Sequence, residues 1–113
     1  MSSGSLRKRL ALAGLIFVGS AQANPMIGSD TLLGWLKSRD ERDGAMAVGY
    51  IGGVREATYQ KEHCASNELK VPEVVGAVRR TLEGMPEYRN MPASWTVIAA
   101  LQARWPCPGK DKK

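Results

Sequence analysis

Apolar residues recur every three or four positions in four stretches of this chain, and Gly, Pro or Asn separates one stretch from the next. This period is that of a helix with one buried face, and no stretch shows the strict alternation of a half-buried strand. The chain has 113 residues, which is enough for one modest core. The pattern therefore predicts one all-α domain, a small bundle of about four helices, beginning near Ser29, Ala45, Pro72 and Pro92.

The same spacing predicts which residues face the core. Ser29 is expected to cap the first helix, and the charged segment 39–44 is expected to be a solvated connection or a frayed helix start before a second helix over about 45–61. All three tryptophans, Trp35, Trp95 and Trp105, are expected in the core or at its rim. The other expected core positions are Leu32, Leu33 and Leu36; Met46, Val48, Tyr50, Ile51, Val54 and Ala57; Val71, Val74, Val75, Val78 and Leu82; and Val97, Ile98 and Leu101.

The N-terminal segment has the three parts of a secretory signal. Cations at positions 7–9 precede an apolar run over 10–18, and small residues at 21–23 suit a cleavage site. The alternative, an uncleaved membrane anchor, is disfavoured because the run is well short of the roughly 20 residues that a spanning helix needs. We therefore expect residues 1–23 to be removed. A domain over 24–109 and a charged tail over 110–113 would remain, in the periplasm or outside the cell and without a membrane span.

The basic net charge gives no reason to expect a nucleic-acid partner. The formal charge of +5 includes three cations at positions 7–9, and the tail over 110–113 carries +2 by itself. The segment 24–109 therefore contains equal numbers of acidic and basic residues. A surface for nucleic acid would need a clustered basic face.

The chain has two cysteines, Cys64 and Cys107, and an exported chain meets oxidising conditions. We expect them to form one disulfide bond, which for a loop of this size contributes roughly 4 kcal/mol in the chain-entropy estimate. A zinc site is the alternative, but one His and two Cys at these positions do not match a zinc pattern. No metal and no cofactor are expected.

The sequence also offers little for catalysis. His63 adjoins Cys64, but a cysteine in a disulfide is not a nucleophile, so we expect His63 at the surface or partly packed. The carboxylates over 40–43 alternate with arginines, as in a solvated segment, and no phosphate-binding loop is present. The sequence predicts a binding protein rather than an enzyme.

Three glycines interrupt the second helix, at a cost of roughly 1 kcal/mol each relative to Ala. We expect Gly49, Gly52 and Gly53 to be close-packing positions where a neighbouring helix crosses at short distance. The alternative is that a ligand approaches the backbone there.

The segment 84–91 is the first candidate for partner binding, because it places interface-type residues on a connection stiffened by two prolines. The residues concerned are Glu87, Tyr88, Arg89 and Asn90. The alternative is an ordinary connection in which Tyr88 and Met85 fold back on the core. The segment 61–67 is the second candidate.

Several blocks of the sequence resemble the Rap1a/Tai domain family. They are GYIGGV over 49–54 with a cysteine soon after, VRRTLE over 78–83, PEYRNMPA over 86–93 and LQARWPC over 101–107. The similarity extends over about 32–107. This family consists of small exported helical immunity proteins, and its best-known members block peptidoglycan-amidase effectors of the type VI secretion system.

The resemblance implies a periplasmic immunity protein that binds an amidase-type effector and occludes its active site. It also implies a homodimer, with the glycine-rich helix in the core or at the dimer seam. The chain departs from the family in having Leu36 and Ala47 where relatives carry two more cysteines, and Lys70 where they often carry a helix-capping Thr. A different class, a periplasmic accessory module of the small acid-stress type, would be disordered with exposed apolar surface at low pH.

Overall fold

The computed structural model describes residues 26–109. Within this range the regular structure consists of four α-helices and one short 3₁₀ helix, with no strand beyond two isolated bridges, so the predicted all-α bundle is confirmed. The proposed signal peptide over 1–23 and the tail over 110–113 lie outside the described residues. The elements are α1 (Ser29–Lys37), α2 (Glu41–Thr58), α3 (Val71–Gly84), the 3₁₀ helix (Pro86–Asn90) and α4 (Ala93–Arg104).

α2 begins four residues earlier than the sequence suggests, because Asp40 caps it. The Asp40 carboxylate accepts a hydrogen bond of 2.9 Å from the backbone N–H of Arg42, and Glu41 and Asp43 occupy the first turn, where negative charge is favoured. The segment 39–44 is therefore mostly the start of a helix rather than a solvated connection. α2 ends at Thr58, and Gln60 follows with a φ of 68°.

The sequence predicts that Ser29 caps α1, but the N-cap residue is Gly28. Ser29 is instead the first helical residue and is fully buried. Two backbone hydrogen bonds fix its position, one of 2.9 Å from the Ser29 N–H to the Met91 carbonyl and one of 2.8 Å from the Ala93 N–H to the Ile27 carbonyl. The start of α1 is thus tied to the start of α4.

α3 also lacks a side-chain cap, since Lys70 at its N-cap makes no side-chain cap hydrogen bond.

All four helices contribute to one core. Residues with no more than 1% exposure include Leu32, Ile51, Val78, Leu82, Val97 and Leu101. Five residues assigned to the core from the sequence are exposed instead: Met46, Val48, Ala57, Val71 and Trp95.

The buried stripe of α2 explains part of this difference. It passes through Ala47 and Ile51, with Tyr50 and Val54 packed against the core from its flanks. This phase leaves Met46 and Val48 on the outer side of the helix.

The predicted disulfide bond joins Cys64 to Cys107, with Cα atoms 4.9 Å apart. The Cys64 N–H also donates a 2.8 Å hydrogen bond to the Trp105 carbonyl. Together these bonds attach the segment after α2 to the end of α4. No helix in the described range is long and apolar enough to cross a membrane.

Candidate functional site

The 3₁₀ helix holds the four residues that the sequence nominates for partner binding. Glu87 and Asn90 are exposed, whereas Tyr88 and Arg89 are half-buried. The 3₁₀ helix packs against α1 and α3. Of the two residues that the alternative folds back on the core, Tyr88 is partly covered and Met85 is exposed. Among the described residues, the shielded Nε of Arg89 has no hydrogen-bond partner.

Large apolar side chains flank this 3₁₀ helix on both sides. Met85 is 41% exposed, Met91 is 38% exposed and Trp95, at the start of α4, is 60% exposed. We call these three residues, with Glu87 and Asn90, the methionine–tryptophan surface. Sequence reasoning included Met85 and Met91 in the candidate segment 84–91 but missed Trp95, which it assigned to the core or its rim. The position of Trp95 could have shown this, because it lies off the stripe formed by Val97 and Leu101 on α4.

The backbone of this surface is held by hydrogen bonds at both ends. The Tyr88 N–H donates to the Met85 carbonyl and the Met91 N–H donates to the Tyr88 carbonyl, both at 3.0 Å. The bonds from Ser29 and Ala93 described above hold the next residues against 27–29. A segment fixed in this way loses little conformational entropy when it binds, which favours affinity.

The glycine-rich part of α2 faces open space rather than a neighbouring helix. A Cβ built on Gly49, Gly52 or Gly53 would have no atom of another element within 4 Å in the described part of the chain. The expected close crossing of a helix within the same chain is therefore wrong. Gly49 and Gly53 continue a line of small exposed residues at a spacing of four, which begins at Ala45 and ends at Ala57.

Gly52 lies in a shallow cavity of about 190 Å³ between α2 and α3, beside the exposed Val48 and Val71. A second cavity of about 180 Å³ contains Tyr59, Ala65 and Asn67 and includes part of the segment 61–67, the second candidate for partner binding. Arg55 and Glu56 line both cavities. Opposite charges therefore belong to the linings of both cavities.

His63 is fully buried, which corrects the expectation of a surface or partly packed residue. Its Nδ1 accepts a 3.0 Å hydrogen bond from the Ala65 N–H, and its Nε2 lies 2.9 Å from the Thr58 hydroxyl. The Thr58 hydroxyl donates to the Val54 carbonyl at 2.7 Å, so it accepts from the His63 ring. This chain of donors fixes the neutral ring with its proton on Nε2.

Burial lowers the pKa of His63 below its ordinary value of 6.5, and the positive charge of Arg55 acts in the same direction. A buried neutral ring, bonded through Nδ1 to the Ala65 backbone and through Nε2 to the Thr58 hydroxyl, supports the segment after α2. Its Nε2 and Nδ1 are both engaged in structural hydrogen bonds. The described residues contain no group of three or more His, Cys, Asp or Glu side chains that could hold a metal ion.

The family model for Rap1a immunity proteins matches residues 28–107. The matched range begins at the N-cap of α1 and ends at the second cysteine of the disulfide, so it contains every helix described above. No curated protein matches the chain in sequence.

Proposed function

Because the chain belongs to the Rap1a immunity protein family, we propose that it is an immunity protein of the periplasm that binds a secreted peptidoglycan amidase and covers the active site of that enzyme. The family match carries this proposal, since it spans the whole bundle rather than one motif. The family supports an immunity role and a protein partner. The amidase is what the family resemblance implies, and the compartment is an inference from the signal-like segment 1–23 and the cysteines.

Two features support the periplasm as the place of action. The segment 1–23 has the charged, apolar and small-residue parts of a signal peptide. The two cysteines of the sequence, Cys64 and Cys107, are joined in a disulfide bond, which persists in oxidising compartments and is rare in the cytosol. Peptidoglycan is also in the periplasm, so an inhibitor of its hydrolysis must act there.

The methionine–tryptophan surface is the face that we assign to the effector. It has exposed apolar anchors in Met85, Met91 and Trp95, and polar neighbours in Glu87 and Asn90. Interfaces concentrate binding energy in a few aromatic and other large anchors surrounded by polar residues. A backbone fixed by hydrogen bonds allows such a surface to enter a cleft without first becoming ordered. Inhibition in this form requires binding alone and no catalytic group.

We also propose that α2 forms the seam of a homodimer. The line of Ala45, Gly49, Gly53 and Ala57 offers a second helix close approach along an exposed face. Exposed Met46 and Val48 beside this line would lose solvent contact in such a dimer.

Periplasmic co-expression tests the proposed function. Candidate amidase effectors with a signal peptide are produced in a susceptible host with and without the full chain, and growth, lysis and muropeptide composition are measured. We expect at least one amidase whose toxicity is removed by this chain and which binds it directly in pull-down with the purified, catalytically inactive effector. Failure of the chain to bind or neutralise any amidase of the panel would contradict the proposal.

A matched control uses the same chain without residues 1–23, which remains in the cytoplasm. We expect it to give no protection against an amidase in the periplasm, although the same amidase still binds the purified protein. Protection by the cytoplasmic form would contradict the proposed compartment. Binding of a hydrophobic dye at low pH without any amidase partner would instead indicate the accessory module.

A further inference from the structure

A cleft of about 250 Å³ separates the outer faces of α3 and α4. Its walls consist of small side chains with one arginine from each helix. Ala77 and Ala100 in its lining are buried, whereas Ala103 and both arginines are exposed, so a partner segment can reach the cleft at these three residues. The lining residues are Ala77, Arg80, Thr81, Ala100, Ala103 and Arg104, and we call this cleft the arginine groove.

Both guanidinium groups of the arginine groove have defined neighbours. The Nη1 of Arg80 lies 3.3 Å from the position that a Cβ on Gly76 would occupy, so the missing side chain at Gly76 makes room for it. The guanidinium of Arg104 lies over the Trp105 ring, 5.2 Å from its centroid, in a cation–π contact. Two cations thus line one cleft.

Neither cation of the arginine groove has a carboxylate among the described residues within 4.0 Å. α4 contains no Asp or Glu along its length. On α3, the carboxylate of Glu83 is engaged 3.1 Å from Arg79 and is not available to Arg80. The groove is therefore a local site of positive charge without a paired carboxylate among the described residues, although residues 24–109 as a whole contain equal numbers of acidic and basic residues.

We propose that the arginine groove is a second docking site for the effector and that it binds an acidic segment of that protein through carboxylates. The guanidinium fork matches a carboxylate in geometry and charge, and it can form two parallel hydrogen bonds with it. This inference rests on the proposed immunity function and names the chemistry of the partner surface. It also gives a basis for selecting one effector, because an effector with a basic or neutral segment at this position would be disfavoured.

The groove continues from the methionine–tryptophan surface. On α4, Trp95, Ala99 and Ala103 follow one another at a spacing of four and therefore lie along one side of the helix. Trp95 belongs to the methionine–tryptophan surface, and Ala103 lines the arginine groove. One effector can therefore place an apolar contact on the first site and an acidic segment on the second.

A peptide titration tests the groove without any effector. The probe is a capped hexapeptide in which two glutamates are separated by two alanines, and its control has glutamine in place of both glutamates. The isotopically labelled full mature chain is titrated with each peptide at low ionic strength, and backbone amide shifts are recorded. We expect the acidic peptide to shift amides around the groove, with weaker binding as salt is added because exposed charges are screened. Equal shifts with the glutamine peptide would overturn the proposal.

Variants locate the binding to the two arginines. The double variant Arg80→Gln/Arg104→Gln is expected to weaken binding of the acidic peptide about tenfold. It removes the two exposed ion pairs that these arginines would form with the glutamates of the peptide. Arg42→Gln is the matched control, because Arg42 is a highly exposed arginine at the start of α2 and away from the groove. Unchanged circular dichroism confirms that the variants fold. An equal loss in Arg42→Gln would show attraction to general positive charge and would overturn the proposal.

A cognate effector separates this inference from the proposed function. If the effector binds and the double variant Arg80→Gln/Arg104→Gln weakens binding about tenfold, both stand. If the double variant binds the effector as tightly as the unmodified chain, the second docking site is wrong while the immunity function stands. If no amidase binds but the acidic peptide still occupies the groove, the immunity function fails while the carboxylate specificity stands.

Discussion

The hydroxyl oxygens of Ser29 and Thr96 lie 2.7 Å apart and join α1 to α4 across 67 residues of sequence. Both residues are buried, since Ser29 has no exposed surface and Thr96 is 1% exposed. A buried hydroxyl without a partner is costly, so these two residues depend on each other. Their bond lies beside the backbone hydrogen bonds that connect 27–29 with 91–93, and together they position the methionine–tryptophan surface relative to α1.

We predict that Ser29 and Thr96 are energetically coupled. Ser29→Ala or Thr96→Val alone leaves one buried hydroxyl unpaired and is expected to reduce the free energy of unfolding by about 1–3 kcal/mol. The double variant removes both hydroxyls and is expected to lose less than the sum of the single losses. Urea unfolding of the unmodified chain, the two single variants and the double variant measures this coupling. Additive losses would mean that the two hydroxyls do not interact in solution.

We predict that His63 makes the fold sensitive to mild acid. Because burial lowers the pKa of His63 in the folded chain, the unfolded chain binds a proton at a higher pH than the folded one. The free energy of unfolding should therefore be constant above about pH 7, fall as the pH decreases through 6.5, and level off below the folded pKa. The decrease amounts to about 1.4 kcal/mol for each unit by which the pKa is lowered.

The control for this prediction is His63→Asn. Asn can still accept the hydrogen bond from the Ala65 N–H but has no group that titrates in this range. His63 is the single histidine of the sequence, so the variant should be less stable overall and should lose the pH dependence between 7 and 5. Urea unfolding at several pH values gives the comparison. The same slope in both proteins would show that another group causes it.

The exposed glycines of α2 give a prediction about stability and assembly together. Gly53→Ala places a Cβ in open space on a helix and should raise the free energy of unfolding of the monomer by about 0.5–1 kcal/mol. Gly49→Leu should weaken the proposed dimer, because a large side chain prevents close approach of the second helix. Analytical ultracentrifugation measures assembly. Gly34→Leu is the control, since Gly34 lies on the exposed side of α1 with equally open space.

We predict that the methionine–tryptophan surface contributes more to binding than to folding. Met91→Ala/Trp95→Ala should raise the Kd for the effector by about 30-fold or more, as expected for central apolar anchors. Its free energy of unfolding should fall by no more than about 1 kcal/mol, because both side chains are already largely exposed. Calorimetry and urea unfolding measure the two effects.

A comparable truncation elsewhere completes this test. Val71, at the opposite end of α3 from Met85, is 49% exposed, so Val71→Ala removes an apolar side chain of similar exposure. It should leave the Kd unchanged. A weaker complex with Val71→Ala and an unchanged one with Met91→Ala/Trp95→Ala would move the effector site to the cavity between α2 and α3.

The four helices and the disulfide could be predicted because their causes are local. A spacing of three and four fixes a buried face, and Pro72 and Gly84 mark the ends of α3. The start of α2 also had a local cause, the capping carboxylate of Asp40, which the alternating charges around it obscured. The accuracy of predicted helix bounds therefore depends on recognising a capping residue among other charged residues.

The exposure of individual side chains could not be predicted in the same way, because it depends on contacts between elements. Ser29 is a common capping residue, but Thr96 of α4 places it in the core. His63 is adjacent to a cysteine and has no apolar pattern, yet Thr58 and Ala65 surround its ring with hydrogen bonds. The glycines of α2 reduce helix stability whether their face is packed or open. Only the position of the neighbouring helices shows that this face is open.

The bond between Cys64 and Cys107 makes a covalent ring of α3, the 3₁₀ helix and α4, and leaves α1 and α2 outside it. A protease that cuts once inside this ring therefore cannot divide the molecule into two pieces, whereas one cut at 38–40 separates α1 from everything that follows. Both surfaces that we assign to the effector lie on the ring. The part of the protein that we assign to the effector is thus the part that remains in one piece after a single break inside it.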